Sequence, residues 1–133
     1  MHSGRRVLVC EDNVLHAAAL CEFLHGCGLE PVGPAGQLAS AQHYARVHLL
    51  DGAILDVNLR GQLCFPLCAT LSAWHVPFVF LTGYGDQSAS PIPMEYRGTP
   101  TILKPFEPNE MKEVLSRMLA LSPFNSPQST LRH

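Results

Sequence analysis

Asp51-Gly-Ala-Ile-Leu-Asp-Val-Asn-Leu-Arg-Gly61 is the stretch around which the rest of the chain is organised. A short apolar run, Ala53-Ile54-Leu55, stops on a carboxylate, Asp56, and Asn58, Arg60 and Gly61 then read as a loop. An apolar run of this length beside a glycine fits a strand buried on both faces, as in a parallel sheet. In open parallel sheets, ligands gather at the carboxyl ends of the strands. An acid at that place is a candidate reactive group, although most such acids only form turns or caps. Its standing depends on what the other strands bring to the same edge.

Upstream, Arg5 to Cys10 reads as a strand that ends on Glu11-Asp12-Asn13. Asn13 or Asp12 caps a helix from Val14 to about Cys27, with Leu15, Ala18, Ala19, Phe23 and Leu24 expected inward and Gly26 and Gly28 stopping it. Leu29 to Gly33 is a short strand whose Pro31 suggests a sheet edge, and Pro34-Ala-Gly36 turns the chain. A second helix runs from Gln37 to Leu49 or Leu50, with Leu38, Ala41, Tyr44, Ala45 and Leu49 inward.

Downstream, a helix spans about Cys64 to Trp74, with Pro66 tolerated in its first turn. Phe78 to Leu81 is a strand, and Thr82-Gly83-Tyr84-Gly85-Asp86 is the loop at its end. Gln87 to Gly98 contains Pro91 and Pro93 and holds at most one or two helical turns. Pro100 to Leu103 is the fifth strand, followed by Lys104-Pro105-Phe106 and a last helix from about Pro108 to Leu121. Glu107, Glu110 and Glu113 lie near the start of that helix and Arg117 near its end, as the helix dipole prefers.

Strands alternating with helices predict an α/β domain, a flavodoxin-like doubly wound parallel sheet of five strands in the order 2-1-3-4-5, with a shortened or irregular fourth helix. Residues 1–121 form this domain, and residues 122–133, polar and turn-rich, are expected to be a disordered tail. The chain has 133 residues, 47% hydrophobic and 15% charged, which suits one compact core. A net charge of −2 without a Lys/Arg run argues against a basic nucleic-acid face. No apolar stretch reaches membrane-spanning length and the N-terminus lacks a signal-peptide core, so a cytoplasmic protein is expected. The five cysteines include no Cys-x-x-Cys pair. Cys64 and Cys68 share a helix face, but small buried hydrophobes in a reducing compartment are the better reading.

The predicted order brings four strand ends side by side. They carry Glu11 and Asp12, Asp56, Thr82 and Lys104. Three carboxylates that close raise one another's pKa unless a cation joins them. Hard oxygen ligands with water access suit Mg²⁺, and Lys104 adds a fixed positive charge. Such parts fit phosphoryl transfer to a carboxylate. Asp56 would be the nucleophile, Mg²⁺ and Lys104 would neutralise the phosphoryl oxygens, and Thr82 would donate a hydrogen bond to one of them. Each residue alone has a plain structural reading, as a cap, a turn former or a solvated strand end. All of them at strand ends by coincidence is far less credible.

Over about Arg6 to Leu121 the chain resembles a response-regulator receiver domain of two-component signalling. The resemblance is carried by Val-Leu-Val-Cys-Glu-Asp-Asn, Ala-Ile-Leu-Asp-Val-Asn-Leu-Arg-Gly, Phe-Leu-Thr-Gly-Tyr-Gly and Ile-Leu-Lys-Pro-Phe, in that order. It implies that Asp56 is the phosphoacceptor and that Glu11, Asp12, Asp56 and the backbone carbonyl of Asn58 hold Mg²⁺. It makes Thr82 the switch hydroxyl and Lys104 the phosphate-sensing lysine, with Lys104-Pro105 a candidate cis peptide. Asn58 and Tyr84 would tune hydrolysis. A histidine kinase or histidine phosphotransfer protein would donate the phosphoryl group. The domain would catalyse its own phosphorylation and dephosphorylation rather than act as a turnover enzyme. It would stand alone as a monomer or weak dimer, relaying or sinking the signal or binding a downstream protein, with no direct nucleic-acid contact. The pattern departs at Thr101, where receivers often carry an aromatic.

Two other functions compete. One is a receiver-like binding module that needs no phosphate, against which the intact acids, Thr82 and Lys104 argue. The other is a small aspartate-nucleophile phosphatase, which usually wants Asp-x-Asp where this chain has Asp56-Val57-Asn58. A flavodoxin fits less well still, because Glu11-Asp12 would repel the phosphate its first loop must bind.

Overall fold

The computed structural model describes residues 4–83 and 92–124. Tyr84, Pro91 and the expected tail from residue 125 onward lie outside them. The elements in chain order are β1 (Arg6–Cys10), α1 (Val14–Gly26), β2 (Glu30–Ala35), α2 (Leu38–Val47), β3 (Gly52–Asp56), β4 (Asn58–Leu59), β5 (Gln62–Leu63), α3 (Phe65–Ala73), β6 (Phe78–Thr82), a 3-10 turn (Met94–Tyr96), β7 (Thr101–Leu103) and α4 (Pro108–Ala120). The main sheet runs β2-β1-β3-β6-β7 and is parallel throughout. This is the predicted flavodoxin-like order, the five sheet strands being counted in chain order.

Both faces of the sheet are covered, so its central strands are apolar along their middles and turn polar only at their ends, at Arg6, Asp56 and Thr82. Val7, Val9, Ile54, Val79, Leu81 and Ile102 pack with Leu20 and Leu24 of α1 and Met111 and Leu115 of α4. Leu8, Cys10, Leu55 and Phe80 face the other way, against Ala41 of α2 and Leu67, Cys68 and Leu71 of α3. Alternation along each strand sends neighbours to opposite layers, and each buried large side chain contributes about 1.5–3 kcal/mol.

Two helix faces differ from expectation. On α1, Leu24 is buried and Phe23 packs against the core as expected, but Leu15, Ala18 and Ala19 are exposed, and Ala17 and Leu20 point inward instead. The helix is apolar nearly all round, so composition could not choose the stripe. The stripe with two leucines at i, i+4 buries more area and prevails. α2 ends at Val47, because His48 is extended, and Leu49 is 58% exposed while Leu50 enters the core.

The stretch after Asp56, expected as a loop, closes as a two-stranded antiparallel hairpin, β4-β5. Arg60 and Gly61 both have positive φ, 52° and 86°, the pattern of the tight hairpin turn that matches strand twist. β2 occupies an edge, as Pro31 suggested, and runs on to Ala35 rather than turning at Pro34. Among the described residues between β6 and β7, the Met94–Tyr96 turn is the helical element.

Candidate functional site

β1 ends at Cys10, and Glu11, 2% exposed, follows at once. Its Oε2 accepts the Asn13 N–H at 3.0 Å, and its Oε1 lies 2.9 Å from Lys104 Nζ. Asn13 caps α1, its Oδ1 accepting the His16 N–H at 3.0 Å. The acid pair is therefore held between a strand end and a helix cap. Asp12 Oδ2 accepts the backbone N–H of Arg60 at 3.1 Å, which ties the end of β1 to the hairpin turn.

Asp56 ends β3, also 2% exposed. Its Oδ1 accepts the Asn58 N–H at 3.1 Å and its Oδ2 lies 2.6 Å from Lys104 Nζ. Asn58 Oδ1 in turn accepts the Gly61 N–H at 2.7 Å and shapes the hairpin. Lys104 directly follows β7, its own N–H donating to Thr82 O at 2.7 Å, so β6 and β7 deliver their last residues together. Thr82 is buried, and its Oγ1 has no hydrogen-bond partner among protein atoms. A buried hydroxyl without a partner is costly and therefore uncommon. The Lys104–Pro105 peptide is cis.

A family model described as the response regulator receiver domain matches residues 7–116. The chain belongs to this family. The receiver is similar to SdrG from Sphingomonas melonis Fr1, at 35% identity and a TM-score of 0.78, over 90% of this chain and 99% of that one. It shares its fold with the receiver domain of the sensor histidine kinase PA1611 from Pseudomonas aeruginosa PAO1, a structure with a magnesium ion coordinated in the active-site cleft. There identity is 20% and the TM-score 0.72, over 89% of this chain and 99% of that one. The transcriptional regulatory protein PdtaR of Mycobacterium tuberculosis (strain CDC 1551 / Oshkosh) is 28% identical over 121 residues, 90% of this chain. The chain spans 58% of that relative's length.

In this receiver Glu11, Asp12 and Asp56 each offer an oxygen, all within 4.8 Å of one another. Lys104 meets two of these acids, Glu11 and Asp56, and Asp12 is a third beside them, so the acids outnumber the ammonium that pairs with them. Burial pushes the Asp56 carboxyl up to about 6, while its hydrogen bond and ion pair with Lys104 and the Asn58 N–H pull it down and Glu11 adds repulsion. For Lys104, burial acts downward, but the hydrogen bonds and charges of Asp56 and Glu11 outweigh it and the ammonium is held above its ordinary value. Clustered hard oxygens with surplus charge fit Mg²⁺, which keeps waters and accepts phosphate oxygens.

Two contacts were not foreseen from sequence. Arg60 meets Asp12 through its backbone, which a residue-type search does not see. His16 brings Nδ1 to 3.8 Å from Glu11 Oε1, one turn past the cap. Cys64 and Cys68 are buried core residues, and neither joins a cluster able to hold a metal among the described residues. No helix among the described residues is long and apolar enough to cross a membrane.

Proposed function

We propose that the receiver accepts a phosphoryl group on Asp56 from a phosphohistidine of a kinase or histidine phosphotransfer protein, with Mg²⁺ held by Glu11, Asp12, Asp56 and the Asn58 backbone carbonyl. The observation that carries this reading is the position of Asp56. Its Oδ2 lies 2.6 Å from an ammonium, beside two further carboxylates and at the same sheet edge as a buried hydroxyl with no partner.

A carboxylate oxygen of Asp56 attacks phosphorus. The O–P bond forms as the P–N bond breaks, and the electron pair leaves on the imidazole nitrogen, which takes a proton from water. Bound Mg²⁺ would supply charge neutralisation for the phosphoryl oxygens. Lys104 lies close enough to follow a phosphoryl oxygen as it arrives. Thr82 Oγ1 donates to another, gaining the partner it lacks. Water later attacks the same phosphorus and restores Asp56, with Asn58 and Tyr84 setting how freely it enters. In this reading the domain is a signal carrier rather than a turnover enzyme. It works in the cytoplasm, and the five free thiols agree with a reducing compartment.

Incubation with Mg²⁺ and acetyl phosphate should yield an acid-stable, base-labile adduct of one phosphate per chain. Absence of the adduct in the native protein, or its persistence in Asp56→Asn, would sink the proposal.

A further inference from the structure

The edge of the sheet opposite Asp56 holds a cleft of about 150 Å³. Val47 and Leu49 line it where α2 ends, Trp74 and Val76 after α3, and Phe124 after α4. α2 stops at Val47 because His48 turns extended, and Val47 and Leu49 are left more than half exposed. Trp74 caps α3 and is 65% exposed. Val76 is buried and joins the cleft to the core layer that contains Leu71 and Phe80. Single apolar side chains on a surface are ordinary, but a contiguous set around a concavity marks a binding surface. A cavity of about 150 Å³ holds one benzene-sized group, so this cleft has room for one large apolar side chain.

Charge decides what kind of chain carries that side chain. Arg46 and His48 line the same cleft, and among the described residues no carboxylate does. Arg46 is exposed and makes no ion pair among the described residues. Tryptophan and arginine are the side chains that most often anchor protein–protein contacts. Residues 125–133, next in the chain after Phe124, contain Arg132 and His133 and no acid, so they do not complement Arg46. A two-fold pair of copies through the cleft sets the patch against itself, repeating Arg46 with no acid to answer it. An acidic segment of a different protein meets both demands.

The cleft also stands clear of the site. Leu50 and Val76 come two residues before β3 and β6, whose far ends carry Asp56 and Thr82. Each of these strands has five residues and spans about 17 Å.

We propose that this cleft is a docking site for a short acidic segment of a partner protein, which inserts one large apolar side chain against Trp74 and sets its carboxylates beside Arg46. The state of Asp56 neither creates nor removes the dock. The partner therefore stays held while the Asp56 edge is open to other molecules, whether or not Asp56 accepts phosphate.

Trp74 is the only tryptophan in the chain, so its indole N–H signal reports on the cleft alone. The test follows that signal by NMR in the ¹⁵N-labelled full chain while the peptide acetyl-Glu-Asp-Glu-Phe-Glu-Asp-Glu-amide is added to millimolar concentration. Two control peptides carry alanine in place of phenylalanine or lysine in place of every acid. The proposal expects a saturable indole shift with the acidic phenylalanine peptide, affinity about tenfold weaker in Arg46→Glu, and no response to either control. The amide signals of Arg46→Glu away from the cleft show that its fold is intact. Mg²⁺ and beryllofluoride, a phosphoryl mimic for carboxylates, leave the peptide affinity unchanged. No saturable indole shift, or an equal response to the lysine peptide, overturns the proposal. An indole signal that moves with protein concentration before peptide is added assigns the cleft to a second copy. One that moves in Leu131→Ser without peptide assigns it to the chain's own last residues, and either result overturns the partner dock. An affinity altered by beryllofluoride overturns its independence of Asp56.

Discussion

At Asp56 burial and the proposed role as phosphoacceptor pull in opposite directions. The folded protein holds this carboxyl at about 6, above the ordinary carboxylate value, because burial outweighs the help of Lys104. Between roughly pH 4 and 6 the folded state therefore binds more protons than the unfolded chain, and stability falls as pH rises through that window. With metal chelated, urea unfolding should show a protein more stable at pH 5 than at pH 7.5. Asp56→Asn should flatten the profile and raise stability at neutral pH by about 1–3 kcal/mol. A profile unchanged by the substitution would contradict this. Thr82 makes the complementary case. Its hydroxyl is buried without a partner, so Thr82→Val should leave the urea midpoint unchanged or slightly raised. The same change should slow phosphoryl transfer from acetyl phosphate by about tenfold or more. Equal losses of stability and rate would assign Thr82 a merely structural part.

The elements differ in how plainly they could be read. The central strands were legible because a strand covered on both faces is a continuous apolar run, and each such run ended on a polar candidate: Glu11, Asp56 or Thr82. The face of α1 was not, since Val14, Leu15, Ala17, Ala18, Ala19 and Leu20 offer several apolar stripes and only packing selects one. The β4-β5 hairpin was missed because its turn puts Arg60 in the left-handed region, where asparagine or glycine is the usual signal. Gly61, at φ 86°, carries the other half of that turn. Gly61→Ala should therefore cost about 1 kcal/mol in urea unfolding, whereas Arg60→Gly should be tolerated. Because Arg60 N–H holds Asp12, the alanine variant should also bind Mg²⁺ more weakly. Unchanged metal affinity would separate the hairpin from the site.

For the whole molecule, the domain does not stop at the end of α4. The expected boundary at residue 121 rested on polar, turn-rich composition. Ser122 is buried, and its Oγ donates to Asp51 Oδ1 at 2.9 Å, while Asp51 Oδ2 accepts the Arg6 N–H at 2.9 Å. One buried acid thus joins the start of β1, the approach to β3 and the end of α4. Composition could not show this, because it depends on which hydroxyl reaches a buried charge. Ser122→Ala should cost about 1–3 kcal/mol, read from urea unfolding, by leaving Asp51 short of a partner. Bound as proposed, Mg²⁺ would couple to the same global stability from the other end of the sheet. At a hundred times its dissociation constant it should add about 2.7 kcal/mol, an increment that Asp12→Ala removes.

The most direct test of the account is to label the native chain with acetyl phosphate and Mg²⁺, trap the acyl phosphate by borohydride reduction and locate the modified residue by peptide mass spectrometry. The account predicts a single modified site at Asp56, absent when metal is chelated. Modification at Glu11 or Asp12 instead, or labelling indifferent to the metal, would contradict it.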